Sequence, residues 1–143
     1  MKKNFIIAVD FDGTCTTHEF PKIGEDIGAV PVLKKIVEAG HKIILFTMRS
    51  DSKEVVSEDP EIHQVAKPYL TEAVEWFMRN KIPLFGINVN PNQKSWTSSP
   101  KPYAHIYIDD ANIFIPLIYS KLSIRPYVDW GKIEKELIKL KLI

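Results

Sequence analysis

Four short apolar runs, Phe5–Val9, Ile43–Phe46, Leu84–Ile87 and Ile106–Ile108, set the tightest limit on how this chain folds. Each is continuous rather than alternating, which predicts strands buried on both faces, as in a parallel sheet. Helical patterns lie between them. Val32, Leu33, Ile36 and Val37 form a stripe, with Pro31 near its start and Gly40 just past its end. Leu70, Ala73, Val74, Phe77 and Met78 recur at i, i+3, i+4, i+7 and i+8, an amphipathic helix. A last helix is expected from about Asp129, a good N-cap, through Ile133, Leu137 and Leu140. This order of strands and helices predicts an α/β fold, a three-layer sandwich around a central parallel sheet. Pro116 and Pro126 interrupt any long element in 113–128, which stays unassigned.

No internal repeat or low-complexity linker divides the chain, so residues 1–143 are expected to form one domain. Two connections stand out: a flap at about 14–30, far longer than the usual few residues, and a polar, acidic loop insertion at about 50–68. A third, 88–103, is rich in Asn, Pro and Ser. A formal net charge of +1 gives no sign of a polyanion-binding surface, which argues against nucleic acid as a partner. No apolar run approaches the roughly 18 residues of a membrane span. One cysteine, Cys15, rules out an internal disulfide framework and suits a reducing compartment, so a cytoplasmic protein is expected.

The polar residues at the ends of the runs carry the chemistry. The first run ends in Asp10-Phe11-Asp12-Gly13-Thr14, the second in Thr47-Met48-Arg49 and the fourth in Asp109-Asp110. In an open parallel sheet the carboxyl ends of the strands share one crevice, where ligands bind. Carboxylates gathered there repel one another unless a cation sits among them. An all-oxygen ligand set matches Mg²⁺, and the lack of Cys or His at the strand ends argues against zinc. One carboxylate can attack a phosphoryl group, and a second, two residues on, can protonate the leaving oxygen and then activate water. The growing negative charge calls for the Thr47 hydroxyl, backbone N–H groups after Asp10 and a lysine.

Asp10-Phe11-Asp12-Gly13-Thr14, Thr47 after Leu45-Phe46, and Asp109-Asp110 after Ile106-Tyr107-Ile108 resemble, in order and strand context, three motifs of the haloacid dehalogenase (HAD) superfamily. The resemblance covers roughly Phe5 to Asn112 and implies a Rossmann-like, Mg²⁺-dependent phosphohydrolase. It implies Asp10 as nucleophile and metal ligand, and Asp12 as general acid/base with its backbone carbonyl on the metal. Thr47 would hold the phosphoryl oxygens, and Asp109 and Asp110 the metal. Gly13, Thr14, Met48 and Arg49 complete the expected substrate-binding set. The remaining motif is only a lysine, and two are available. Lys101 is favoured because Ser99-Pro100-Lys101 leads into the last strand of the site, with Lys94 the other candidate. Neither gap between motifs has room for a large cap domain, so the chain resembles capless members of the superfamily.

Other residues read more plainly. His18, His41, His63 and His105 show no metal spacing, and His18, in the flap, has the best claim on substrate. Arg49 suits a salt bridge as well as a substrate anion. Trp96 lies on a loop that suits stacking on a base or sugar, whereas Trp76 and Trp130 suit the core. The acidic run from Asp51 to Glu61 reads as a solvated face. A receiver domain uses similar residues in a different chain order, and the dehalogenase branch needs neither Asp12 nor Mg²⁺. The expected substrate is a small phosphomonoester, such as a sugar phosphate or nucleotide, and a homo-oligomer would supply the missing lid. A phosphorylated macromolecule or polymer end, or phosphate binding without turnover, are the alternatives.

Overall fold

The computed structural model describes residues 3–51 and 68–143. Most of the expected 50–68 insertion, with His63 and most of the acidic run, lies outside the described residues. Among the described residues six strands and three helices follow in chain order: β1 Ile6–Val9, α1 Ala29–Glu38, β2 Lys42–Leu45, α2 Tyr69–Arg79, β3 Gly86–Ile87, β4 Ile106–Ile108, β5 Leu117–Ile118, β6 Tyr127–Val128 and α3 Trp130–Lys139. The first four strands form one sheet in the order β3-β2-β1-β4, parallel throughout. Central β1 pairs Val9 with Leu45 on one side and Ile108 on the other. The α/β fold around a parallel sheet expected from the apolar runs is therefore present.

The helices share one side of that sheet. Ile7, Val9, Ile43 and Leu45 form a single core with Leu33 and Ile36 of α1, Ala73 and Phe77 of α2, and Ile133 and Leu137 of α3. The alternate residues Ala8 and Ile44 point the other way, where Ala104, Phe46, Phe85 and Tyr107 cover them. On that side the segment joining β3 to β4 contributes Ala104. Two of its buried polar side chains hold the segment in shape. The Gln93 amide donates to the Ser99 and Lys101 carbonyls, and its oxygen accepts from the Tyr103 N–H. Asn90 donates to the Tyr103 carbonyl.

Local signals act as expected at the helix ends. Gly40 follows α1 with φ +90°, the left-handed conformation that ends helices. Asp129 caps α3 by accepting from the Lys132 N–H at 3.1 Å. Buried His41 ties the chain's end to β1: its Nδ1 accepts from the Phe5 N–H, and its Nε2 donates to the Leu142 carbonyl at 2.7 Å. His105 likewise accepts from the Ile6 N–H. Within 113–128, β5 and β6 form a short antiparallel pair beside the main sheet, with Leu117 opposite Val128.

Candidate active site

Directly after β1 the chain makes a tight turn. The Thr14 and Cys15 N–H groups both donate to the Phe11 carbonyl, at 3.1 and 2.7 Å. Gly13 sits in this turn at φ +81°, and a Cβ there would lie 2.5 Å from Asp110 Oδ2. Thr14 is wholly buried; its hydroxyl donates to Asp10 Oδ2 at 2.9 Å and accepts from the Asp110 N–H at 3.0 Å. It fixes the first strand end to the fourth. This corrects the expectation that Gly13 and Thr14 bind substrate. The Gly13 N–H is spent on the Thr16 carbonyl, and Thr14 exposes no surface. Replacing Gly13 by Ala is expected to cost about 1–3 kcal/mol of stability through the unfavourable φ and to displace Asp110. A lower melting temperature with weaker stabilisation by Mg²⁺ would report both.

Asp10, Asp109 and Asp110 converge: one oxygen from each lies within 4.8 Å of the other two. Burial, and then the negative charge of Asp109, push the Asp10 carboxyl up to about 8. Burial also raises Asp109, helped by its hydrogen bond with Asp110 and that residue's charge. Three oxygen donors that resist sharing negative charge suit a hard divalent cation. Cys15, fully buried beside them, donates from Sγ to the Asp10 carbonyl, and burial holds its thiol well above the usual range. It is no nucleophile at neutral pH.

Asp12 stands outside this group and faces Arg49. The guanidinium grips it with two parallel bonds, Nε to Oδ2 and Nη2 to Oδ1, both 2.7 Å. The rest of Arg49 is equally committed. Nη2 donates to the Lys22 carbonyl at 2.9 Å, Nη1 to the Tyr69 carbonyl at 3.2 Å and the Pro21 carbonyl at 3.4 Å. The Phe11 and Phe20 rings each lie 5.1 Å from its Cζ. With only 3% of its surface exposed, Arg49 acts as a clasp joining Asp12, the flap and the first turn of α2. The flap folds on itself beside it, with the Thr17 N–H on the Glu25 carbonyl and the Glu25 N–H on Thr17 Oγ1.

A cavity of about 550 Å³ opens over these groups, lined by Asp10, Asp12, Thr47, Asp109 and Asp110. His18, Phe20, Met48, Arg49, Arg125 and Pro126 also line it. Thr47 Oγ1 accepts from the Arg49 N–H at 3.1 Å, which leaves its O–H to donate elsewhere. Its own N–H is held by Asn88 Oδ1 at 2.8 Å. Met48 is almost fully exposed at the rim. Lys101 borders an adjoining cavity with Asp10 and Asp109, its ammonium 5.1 Å from the Tyr107 ring centre. Lys94 lines a separate cavity with Asn90 and Gln93, away from the carboxylates.

Asn88 and Arg125 had no part in the sequence reading, and Pro126 figured there only as an interruption of 113–128. Asn88 was within reach of the same logic, since it directly follows β3 at a strand's carboxyl end. Arg125 lies in the stretch left unassigned between two prolines. Trp96 packs edge-on against Tyr103 and lines neither cavity that holds Asp10. Asp51 is not merely solvated, because it accepts from both the N–H and the hydroxyl of Thr71 in the first turn of α2.

No family model matches the sequence, and no curated protein matches it. Among solved structures, a conserved protein from Bacteroides thetaiotaomicron is similar, with a TM-score of 0.69 and 33% sequence identity. The similarity covers 97% of this chain and 93% of that one. At that identity over nearly the full length of both, the chain belongs to the same family as this conserved Bacteroides protein.

Proposed function

We propose that this protein is a Mg²⁺-dependent phosphomonoester hydrolase of the HAD type, working through an aspartyl-phosphate at Asp10. The observation that carries the reading is the meeting of Asp10, Asp109 and Asp110 at the carboxyl ends of two adjacent parallel strands, under a cavity that also holds Asp12 and Thr47. A Mg²⁺ held by Asp10, Asp109 and Asp110 would neutralise the carboxylates and the phosphoryl oxygens together.

Asp10 Oδ attacks phosphorus, forming the Asp10 O–P bond as the bond to the substrate oxygen breaks. Asp12 would enter the step protonated on a lone pair that Arg49 leaves free, give that proton to the leaving oxygen and regain one from the water that hydrolyses the intermediate. Each Asp12 oxygen keeps a second lone pair beside its bond to Arg49, so the clasp sets orientation while leaving a proton site. Thr47, through its free O–H, and Lys101 supply donors to the phosphoryl oxygens. The substrate is a small phosphomonoester. No described helix is long and apolar enough to cross a membrane, and a cytoplasmic setting completes the proposal.

The test is release of phosphate from p-nitrophenyl phosphate and a panel of phosphomonoesters, with and without Mg²⁺. Turnover that requires the metal is the expected result. Folded protein with no turnover on any of the panel would contradict the reading.

A further inference from the structure

Besides the carboxylates, the cavity is lined by residues of different chemistry. Phe20 presents a half-exposed ring, backed by the Arg49 guanidinium at 5.1 Å and by Tyr69 edge-on at 5.2 Å. It is a fixed apolar platform rather than a loose flap residue. Beside it, Arg125 Nη1 donates to His18 Nε2 at 3.1 Å. That bond needs an unprotonated Nε2, so His18 steers the guanidinium without competing for it as a charge. Among the described residues no carboxylate lies within ion-pair distance of Arg125. Arg49, the other arginine of the cavity, is fully engaged by Asp12 and three carbonyls.

Arg125 is thus a directed cation with donors to spare, in a cavity otherwise lined by four carboxylates. At about 550 Å³ the cavity has the size of a site for a whole small molecule rather than a bare phosphoryl group. Attraction to the transferring phosphate does not require it, because Thr47 and Lys101 already flank Asp10.

Resting on the phosphomonoester reading, we propose that Arg125, positioned by His18, binds a second anionic group on the leaving-group side of the substrate. Phe20 and Met48 pack against the carbon skeleton between the two anions. The substrate is then a small phosphomonoester that also carries a carboxylate or a second phosphate.

The experiment measures binding, so that it stands apart from turnover. Asp10→Asn protein in Mg²⁺ is titrated calorimetrically with phenyl phosphate, 3-phosphoglycerate and fructose 1,6-bisphosphate, with Arg125 intact or replaced by Ala. Arg125 is exposed, and matching thermal melts verify that the fold survives. The expected result is tighter binding of a bis-anionic ligand than of phenyl phosphate, with that ratio falling about ten- to a hundredfold in Arg125→Ala. The 3-phosphoglycerate and bisphosphate arms identify which second anion is preferred. Equal affinities with Arg125 intact, or a ratio unmoved by Arg125→Ala, would overturn the proposal. A uniform loss across all three ligands would overturn it too, by assigning Arg125 to the transferring phosphate. Selective binding without any turnover by the wild type would instead sink the hydrolase reading and leave the subsite standing.

Discussion

Asp10→Asn is expected to cut turnover on the order of a thousandfold or more while making the metal-free protein more stable at alkaline pH. The first effect follows from removing the proposed nucleophile, the second from burial that, in the metal-free protein, favours the neutral form of Asp10. Its carboxyl is raised from 3.8 to about 8, first by burial and then by the charge of Asp109. Between those values the folded chain holds a proton that the unfolded chain releases. Stability from this group is therefore full below pH 4 and lost as the pH rises through about 8. Asn mimics the neutral acid, so the variant should melt like the wild type only below about pH 4, and the gap should widen steadily from there to about pH 8. By pH 9 it should be more stable by on the order of a few kcal/mol. Mg²⁺ reverses the comparison. With Asp10 a metal ligand as proposed, binding would displace its proton, so wild-type affinity is expected to rise with pH up to about 8 and the metal to stabilise the wild type more than the variant. Thermal melts from pH 5 to 9, with and without Mg²⁺, read the stability claim, and a phosphate-release assay reads the activity.

Arg49→Ala is expected to be the most destabilising change at the site, by about 3–5 kcal/mol, because it strands a carboxylate whose partner was buried. Arg49 has 1% of its side chain exposed and Asp12 12%, so little water reaches the pair. The loss extends beyond that pair. The Pro21, Lys22 and Tyr69 carbonyls lose their donor, and the Phe11 and Phe20 rings lose the plane between them. With Asp12 free to turn and the flap released, turnover should fall along with stability. Arg49→Lys keeps the charge but cannot form two parallel bonds, so it should recover part of the stability and little of the activity. Denaturant melts of both variants beside their kcat values check this. Full activity in Arg49→Lys would show that the paired geometry does not matter to Asp12.

The contrast between these two residues shows what the sequence disclosed. Asp10 was legible because a buried parallel strand must end somewhere, and polar residues directly after it are aimed at the crevice. The same logic found Asp12, Thr47, Asp109 and Asp110, and the strands themselves were visible as continuous apolar runs. Arg49 occupies an equivalent strand end, yet its long side chain turns back into the protein. Spacing alone does not say whether an arginine meets solvent, substrate or an aspartate of another segment. Gly13 and Thr14 were placed at the site but given the wrong task, since only the approach of Asp110 from nearly a hundred residues away commits them to scaffolding. Arg125 was invisible for a different reason. It lies between short strands that prolines make unreadable, and it reaches the cavity only through the pairing of β5 with β6. The order of the segment joining β3 to β4 escaped because it rests on the side-chain amides of Asn90 and Gln93 rather than on any periodicity.

The central claim is a covalent bond between Asp10 and phosphorus, and trapping that bond tests it most directly. Wild-type protein turning over a phosphomonoester in Mg²⁺ is quenched, treated with borohydride, which reduces an acyl phosphate to the alcohol, and digested for peptide mass spectrometry. The account predicts homoserine in place of aspartate at position 10, absent when substrate or Mg²⁺ is left out. Steady turnover with position 10 unmodified, or with the reduced residue at Asp12, Asp109 or Asp110, would contradict it.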